Sequence, residues 1–197
     1  MSAQAEAFER CVAAGGVALF AADTVYGLAC DPTSPAAVAR LYGLKGRPAD
    51  KPAAVMFFAL DRALAALPEL APRTRAALQA LLPGAVTLLL PNPLARWPLA
   101  CGPDPWTLGL RVPSAGALAG VALPVLQSSA NRSGGADPRT LGEVEPALRD
   151  GADLVVDGGE LPGTPSTVLD LRDYERDGRW SVVREGALQR AEIAARL

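Results

Sequence analysis

The stretch from Val17 to Met56 constrains this chain more than any other. It opens with an apolar run, Val17 to Ala21, too apolar throughout for an edge strand facing water. A polar turn follows, Asp23-Thr24-Val25-Tyr26-Gly27. Ser34-Pro35 then supplies a hydroxyl N-cap with proline at the first helical position, and Val38, Leu41 and Leu44 give that helix an inward face. Lys45-Gly46-Arg47-Pro48 reads as a basic loop, held out of helix by Gly46 and Pro48. A second apolar run, Ala53 to Ala59, reads as another buried strand. Strand, helix and strand in this succession call for a sheet with a helix packed on its face.

The remaining chain continues the theme. Ala3 to Ala14 reads as a helix stopped by Gly15-Gly16. Asp61 to Leu67, Pro72 to Leu82, Ser114 to Gly120, Leu141 to Arg149 and Ala187 to Leu197 read as helices. Val86 to Leu90, Thr107 to Val112, Val125 to Gln127, Leu154 to Val156, Thr167 to Leu171 and Trp180 to Val183 read as strands. Pro91 to Pro105 is rich in proline and reads as an irregular excursion. Strands and helices intermix, with three strands in a run near the end. The expected fold is α/β, a twisted mixed β-sheet covered by helices rather than a strictly alternating doubly wound one. No repeat or long linker divides the chain, so one domain over residues 1–197 is expected.

Composition excludes several chemistries. There is no histidine, which removes Ser-His-Asp and Cys-His mechanisms and any His-liganded metal. Cys11, Cys30 and Cys101 are scattered and form no CxxC, as expected of small buried side chains in a reducing, cytoplasmic setting. The first residues carry acids and no long apolar run, so neither a signal peptide nor a membrane span is expected. A net charge of −2 argues against a globally basic nucleic-acid binder but leaves room for a local basic groove.

Within that frame a few residues stand out. Of 19 basic residues only Lys45 and Lys51 are lysines, and both sit beside Arg47 in one Gly/Pro-framed loop. Such a loop can hold a polyphosphate or carboxylate, with lysine as a point charge and arginine as a bidentate fork. A solvated charge run fits the same residues. The Asp23–Gly27 turn offers the Thr24 and Tyr26 hydroxyls at the end of a buried strand, where α/β folds place ligands, yet it also fits an Asx-type turn. Ser129-Ala130-Asn131 is a second polar turn after a strand. Arg111 lies inside an apolar strand and must either be paired or bind an anion. Neither a P-loop nor a Rossmann glycine fingerprint is present.

Together and in order, DTVYGL (from Asp23), KGRP (Lys45), PGAVTLLL (Pro83), TLGLRVP (Thr107), SSANRSG (Ser128), STVLDL (Ser166) and VREGAL (Val183) resemble the YrdC/TsaC family of threonylcarbamoyl-AMP synthases, in its short form. The resemblance implies a YrdC-like (YrdC/RibB) fold with an electropositive cleft. It implies formation of threonylcarbamoyl-AMP and pyrophosphate from L-threonine, bicarbonate and ATP, assisted by Mg²⁺ held mainly by ATP rather than by protein side chains. The product serves the t6A modification of tRNA, with contact to tRNA or the transfer machinery as further implied partners. Carried over residue by residue, Lys45 and Arg47 would be catalytic. Thr24, Tyr26, Arg111, Ser129 and Ser166 would line the threonine pocket. Arg47, Lys51, Thr107, Asn131, Arg139, Thr140 and Arg184 would contact ATP. A non-catalytic RNA-binding module, with Lys45, Lys51, Arg132 and Arg139 along a groove, and a related carbamoyl-adenylate enzyme are the alternatives. The sequence departs from the family at Ala21-Ala22, at Met56 and at Ser114-Ala115-Gly116 after Pro113, where the family has a Pro-Thr pair and two histidines.

Overall fold

The computed structural model describes residues 2–114 and 116–197. In chain order the elements are α1 (Ala3–Ala13), β1 (Ala18–Ala21), β2 (Tyr26–Cys30), α2 (Pro35–Lys45), β3 (Ala54–Met56), α3 (Leu60–Ala66) and α4 (Pro72–Leu81). Then come β4 (Val86–Pro91), α5 (Pro98–Cys101), β5 (Thr107–Arg111), β6 (Val125–Ser129), a 3₁₀ turn (Leu141–Glu143) and α6 (Pro146–Asp150). The chain closes with β7 (Leu154–Val156), β8 (Thr167–Asp170), α7 (Tyr174–Asp177), β9 (Ser181–Arg184) and α8 (Arg190–Arg196). All strands join one mixed sheet in the order β7-β1-β2-β6-β3-β5-β4-β8-β9. No helix among the described residues is long and apolar enough to cross a membrane.

Strand alternation divides the core in two. Leu19, Tyr26, Leu28, Val55, Leu88, Leu110, Leu126 and Leu169 face a large cluster beneath α2, α4 and α8. Phe20, Ala29, Met56 and Val125 face the other way, into a smaller cluster with Phe8 of α1. There the Phe8, Phe20 and Phe58 rings meet edge to face at 5.3 to 6.3 Å. α1 thus covers the β7–β1 end of that face. Further along the sheet the same face stays open, and the cleft described below occupies it.

The structure departs from the sequence reading in instructive places. The Asp23–Gly27 segment is not a turn throughout: Tyr26 starts β2, a wholly buried strand between β1 and β6. A side chain at Gly27 would meet the Gln127 amide at 2.7 Å, so glycine serves close strand approach here. Lys45 belongs to the last turn of α2, which runs through Gly43 and is closed by Gly46 in the left-handed conformation (φ 57°). Ser114–Gly120 forms no helix among its described residues, only a turn at 117–120, and Ala115 lies outside them. The Leu141–Arg149 helix is split, because Pro146 cannot donate to the preceding turn and instead opens α6. Short helix α5 interrupts the Pro91–Pro105 segment read as irregular, and α7 lies between two segments read as strands.

Candidate active site

The open face of the sheet forms a cleft of about 590 Å³. Its floor follows from strand alternation. Thr107, Gly109 and Arg111 of β5, Thr87 and Leu89 of β4, Val168 of β8 and Gln127 and Ser129 of β6 all point into it. Their sequence neighbours Val86, Leu88, Leu108, Leu110 and Leu126 point into the large core. Four cations, Arg47, Lys51, Arg111 and Arg184, line the cleft against two carboxylates, Asp104 and Asp137.

Arg111 is 3% exposed. Its Nη2 donates to a carboxylate oxygen of Asp23 and, at 2.7 Å, to the Thr24 hydroxyl. Burial lowers its pKa and the Asp23 charge opposes that shift. The demand that a charge in this apolar strand be paired is met by Asp23, a residue of the polar turn. Beside it, the Thr87 and Ser166 hydroxyls share a hydrogen bond of 2.9 Å, and Arg184 donates to the Ser166 carbonyl at 2.6 Å. Thr167, fully buried, clamps the C-terminal segment by donating to the Leu188 carbonyl (2.6 Å) and accepting from its N–H (3.1 Å). The clamp adds to the β8–β9 ladder, which pairs Val168 with Arg184 and so brings the two motifs together.

On the opposite wall, Arg47 follows the Gly46 cap, lies over the Tyr42 ring at 5.5 Å and donates to the Pro52 carbonyl. Lys51 is exposed and its ammonium makes no hydrogen bond among the described residues. Lys45 differs. It is 1% exposed, and its ammonium donates to the carbonyls of Ser129 and Asn131 and to the Asn131 side-chain oxygen (3.0 Å). Burial, then Arg47, lowers its pKa to about 8. The Asn131 oxygen also accepts from Ser129 Oγ at 2.7 Å, and the Asn131 amide nitrogen donates to the Gly135 carbonyl and, at 3.2 Å, to Asp137.

Of the residues singled out in the sequence, Arg47, Lys51, Thr107, Arg111, Ser129, Ser166 and Arg184 line the cleft. Thr24 stands behind Arg111, and Lys45 and Asn131 stand behind Ser129. Tyr26 faces the large core, and its hydroxyl binds Asp157 (2.5 Å) and the Gly159 carbonyl (2.9 Å). Arg139 is exposed and paired with Glu160, and Thr140 precedes the 3₁₀ turn; neither lines the cleft. Thr87, Gln127 and Asp137 were not singled out. The alternation of VTLLL could have found Thr87, the polar residue facing away from Val86 and Leu88.

The family model for Sua5, YciO and YrdC, described as "Telomere recombination", matches residues 10–186. The chain belongs to the Sua5/YciO/YrdC family. Another family member, the threonylcarbamoyl-AMP synthase of Xanthomonas oryzae pv. oryzae, is 37% identical over 166 residues, which is 80% of this chain and 88% of that protein. The H234A/Y235A variant of P. abyssi Sua5 superposes with a TM-score of 0.84 at 28% identity, covering 97% of this chain. This chain spans 59% of that Sua5 chain. P. abyssi Sua5 complexed with L-threonine gives a TM-score of 0.82 at 27% identity, covering 97% of this chain and 56% of the other.

Proposed function

We propose that this chain makes threonylcarbamoyl-AMP and pyrophosphate from L-threonine, bicarbonate and ATP, for the t6A modification of tRNA in the cytoplasm. One observation carries the reading beyond the family name. Among the described residues, the buried side-chain polar atoms left without a partner are Arg47 Nε and Arg111 Nε, and both arginines line the cleft. Buried donors are nearly always met. Two unmet ones on opposite walls suit two anionic ligands, a carboxylate and a polyphosphate.

In this reading Arg111, pre-aimed by Asp23 and Thr24, takes the threonine carboxylate, with Ser166 and Ser129 beside it. Arg47, Lys51 and Arg184 take the phosphates, with Thr107 at the nucleotide end. The threonine amine attacks bicarbonate to give the carbamate and water. A carbamate oxygen then attacks the α-phosphorus, and the bond to pyrophosphate breaks. No protein nucleophile is required, which agrees with the lack of histidine. Positioning and charge stabilisation supply the rate.

The donor set fits Mg²⁺ as ATP brings it. Among the described residues no group of three potential ligands is assembled. Asp104 uses both oxygens on Trp106 N–H and Thr107, whereas Asp137 keeps one oxygen free at the cleft. Mg²⁺ commonly takes one or two carboxylates plus substrate phosphates, so Asp137 would hold it. When bound, the ion would neutralise phosphate charge. Direct tRNA binding is less favoured, because Arg132 and Arg139 are already paired with Glu145 and Glu160. The test is pyrophosphate release with threonine, bicarbonate and ATP, each omitted in turn; release that persists without threonine overturns the reading.

A further inference from the structure

Lys45 approaches the cleft from the wrong side to be a ligand. Helix α2 packs Ala37, Val38, Leu41 and Tyr42 into the large core, on the face of the sheet opposite the cleft. From there the Lys45 side chain reaches up to the turn that ends β6. An ammonium has three N–H bonds and no acceptor. Lys45 has three oxygen partners, the Ser129 carbonyl, the Asn131 carbonyl at 2.7 Å and Asn131 Oδ1 at 3.0 Å. Every donor is engaged. The main chain adds a further tie, since Ser133 N–H donates to the Lys45 carbonyl at 2.9 Å.

The consequence for Ser129 is directional. Asn131 turns its oxygen to Lys45 and its NH₂ to Gly135 and Asp137. Ser129 Oγ therefore donates its one proton to that oxygen, at 2.7 Å. Its lone pairs remain for the cleft, which Ser129 lines. A hydroxyl locked in this sense accepts from a substrate N–H and does not donate to a phosphate.

We propose that Lys45 is a positioning residue: it fixes the Ser129–Asn131 turn from beneath the sheet, leaves Ser129 Oγ as an acceptor for the substrate amine, and does not touch the nucleotide. This rests on the reading of the cleft given above and assigns Lys45 a different place in it from Arg47 and Lys51. The groups that bear on its charge are Arg47, Lys51 and Asp137.

The chain has only two lysines, so ¹⁵N-lysine labelling yields two side-chain ammonium signals to assign. In the free protein the Lys45 signal should be sharp and protected from solvent exchange. On saturation with α,β-methylene-ATP and Mg²⁺, the Lys51 signal should move more than that of Lys45; a larger shift at Lys45 overturns the proposal. Without any ligand, Lys45→Met should speed hydrogen exchange across residues 129–135 by about tenfold or more. Unchanged exchange in a folded variant also overturns it. In turnover, Lys45→Met should lower kcat by about tenfold or more with the KM for ATP within about threefold, and Lys45→Arg should recover part of the rate. A raised KM for ATP at unchanged kcat would mean a phosphate ligand instead. If Lys45→Met does not fold, the wild-type ammonium signals still decide. If the wild type releases no threonine-dependent pyrophosphate, the functional reading fails, while the exchange arm and the free-protein signal still judge Lys45.

Discussion

The two lysines mark two regions of the molecule built on opposite principles. Beneath the sheet, Lys45 is buried and saturated by oxygens of one turn. Above it, Lys51 stands exposed at the cleft wall with no hydrogen bond among the described residues. The arginines repeat the contrast. Arg111 is buried and aimed by Asp23 and Thr24, whereas Arg184, exposed at the end of edge strand β9, holds only the Ser166 end of β8. The interior cations are fixed before any ligand arrives, and the rim cations are left for the ligand to organise. Burial makes the first kind costly to break and the second kind cheap to remove.

The contrast is most severely tested at Arg111. Arg111→Met would leave Asp23 nearly buried without its counter-charge, since among the described residues the only other donor to that carboxylate is Ser114 N–H at 3.2 Å. Breaking a buried pair from one side costs about 3–5 kcal/mol. Urea unfolding should show a loss of that size, and Asp23→Asn in the same chain should recover part of it. A loss under about 1 kcal/mol would mean the pair is no more fixed than a surface bridge.

Lys45 gives the second test, through pH. Its pKa falls from an ordinary 10.5 to about 8 in the folded chain. Between these values the unfolded chain binds more protons, so this group's contribution to stability rises with pH from about 8 to 10.5. The neutral amine has one N–H fewer for its three acceptors, so turnover should fall as pH rises through about 8, the folded value. Wild type minus Lys45→Met in urea unfolding isolates the stability part from Cys30, which burial pushes up to about 12 and which acts in the opposite direction. Activity that holds to pH 10 would show the third hydrogen bond to be dispensable.

Much of this was legible from the residues, and what was not has a physical cause. The start of α2 could be read because Ser34 and Pro35 are local signals, and Ser34 Oγ does accept from Ala37 N–H at 3.3 Å. Its end could be read too, at Gly46, but Lys45 reads as part of the loop, because only its burial keeps that cation in the last helical turn ahead of the Gly46 cap. Strand β2 was hidden because its glycine answers to Gln127 and Ser128, far along the chain. That Arg111 needed a partner followed from its apolar strand. That the partner is Asp23, separated by 88 positions, follows only from the sheet. Likewise Lys45 and Lys51 are alike in sequence, and only the sheet between them separates their roles.

Asp137→Asn tests the rim at the metal. The amide could still meet Asn131 but would be a poor Mg²⁺ ligand. The Mg²⁺ concentration for half-maximal turnover should rise by about three- to tenfold, with Mn²⁺ binding in the presence of α,β-methylene-ATP weakened in parallel by electron paramagnetic resonance. An unchanged Mg²⁺ requirement would leave ATP as the ion's sole holder.

The smallest effect on the fold belongs to Lys51→Ala. This exposed ammonium makes no hydrogen bond among the described residues, so the urea midpoint should shift by no more than about 0.5 kcal/mol equivalent. Its value should appear only with nucleotide. A point charge on a phosphate at an exposed wall is worth about 1 kcal/mol, or about fivefold in the Kd of α,β-methylene-ATP. That difference should shrink as salt rises, because exposed charges are screened over about 8–10 Å. Calorimetric titration at low and high salt reads both numbers. A salt-insensitive loss of affinity, or a loss of stability, would place Lys51 among the interior cations and dissolve the distinction between the two regions.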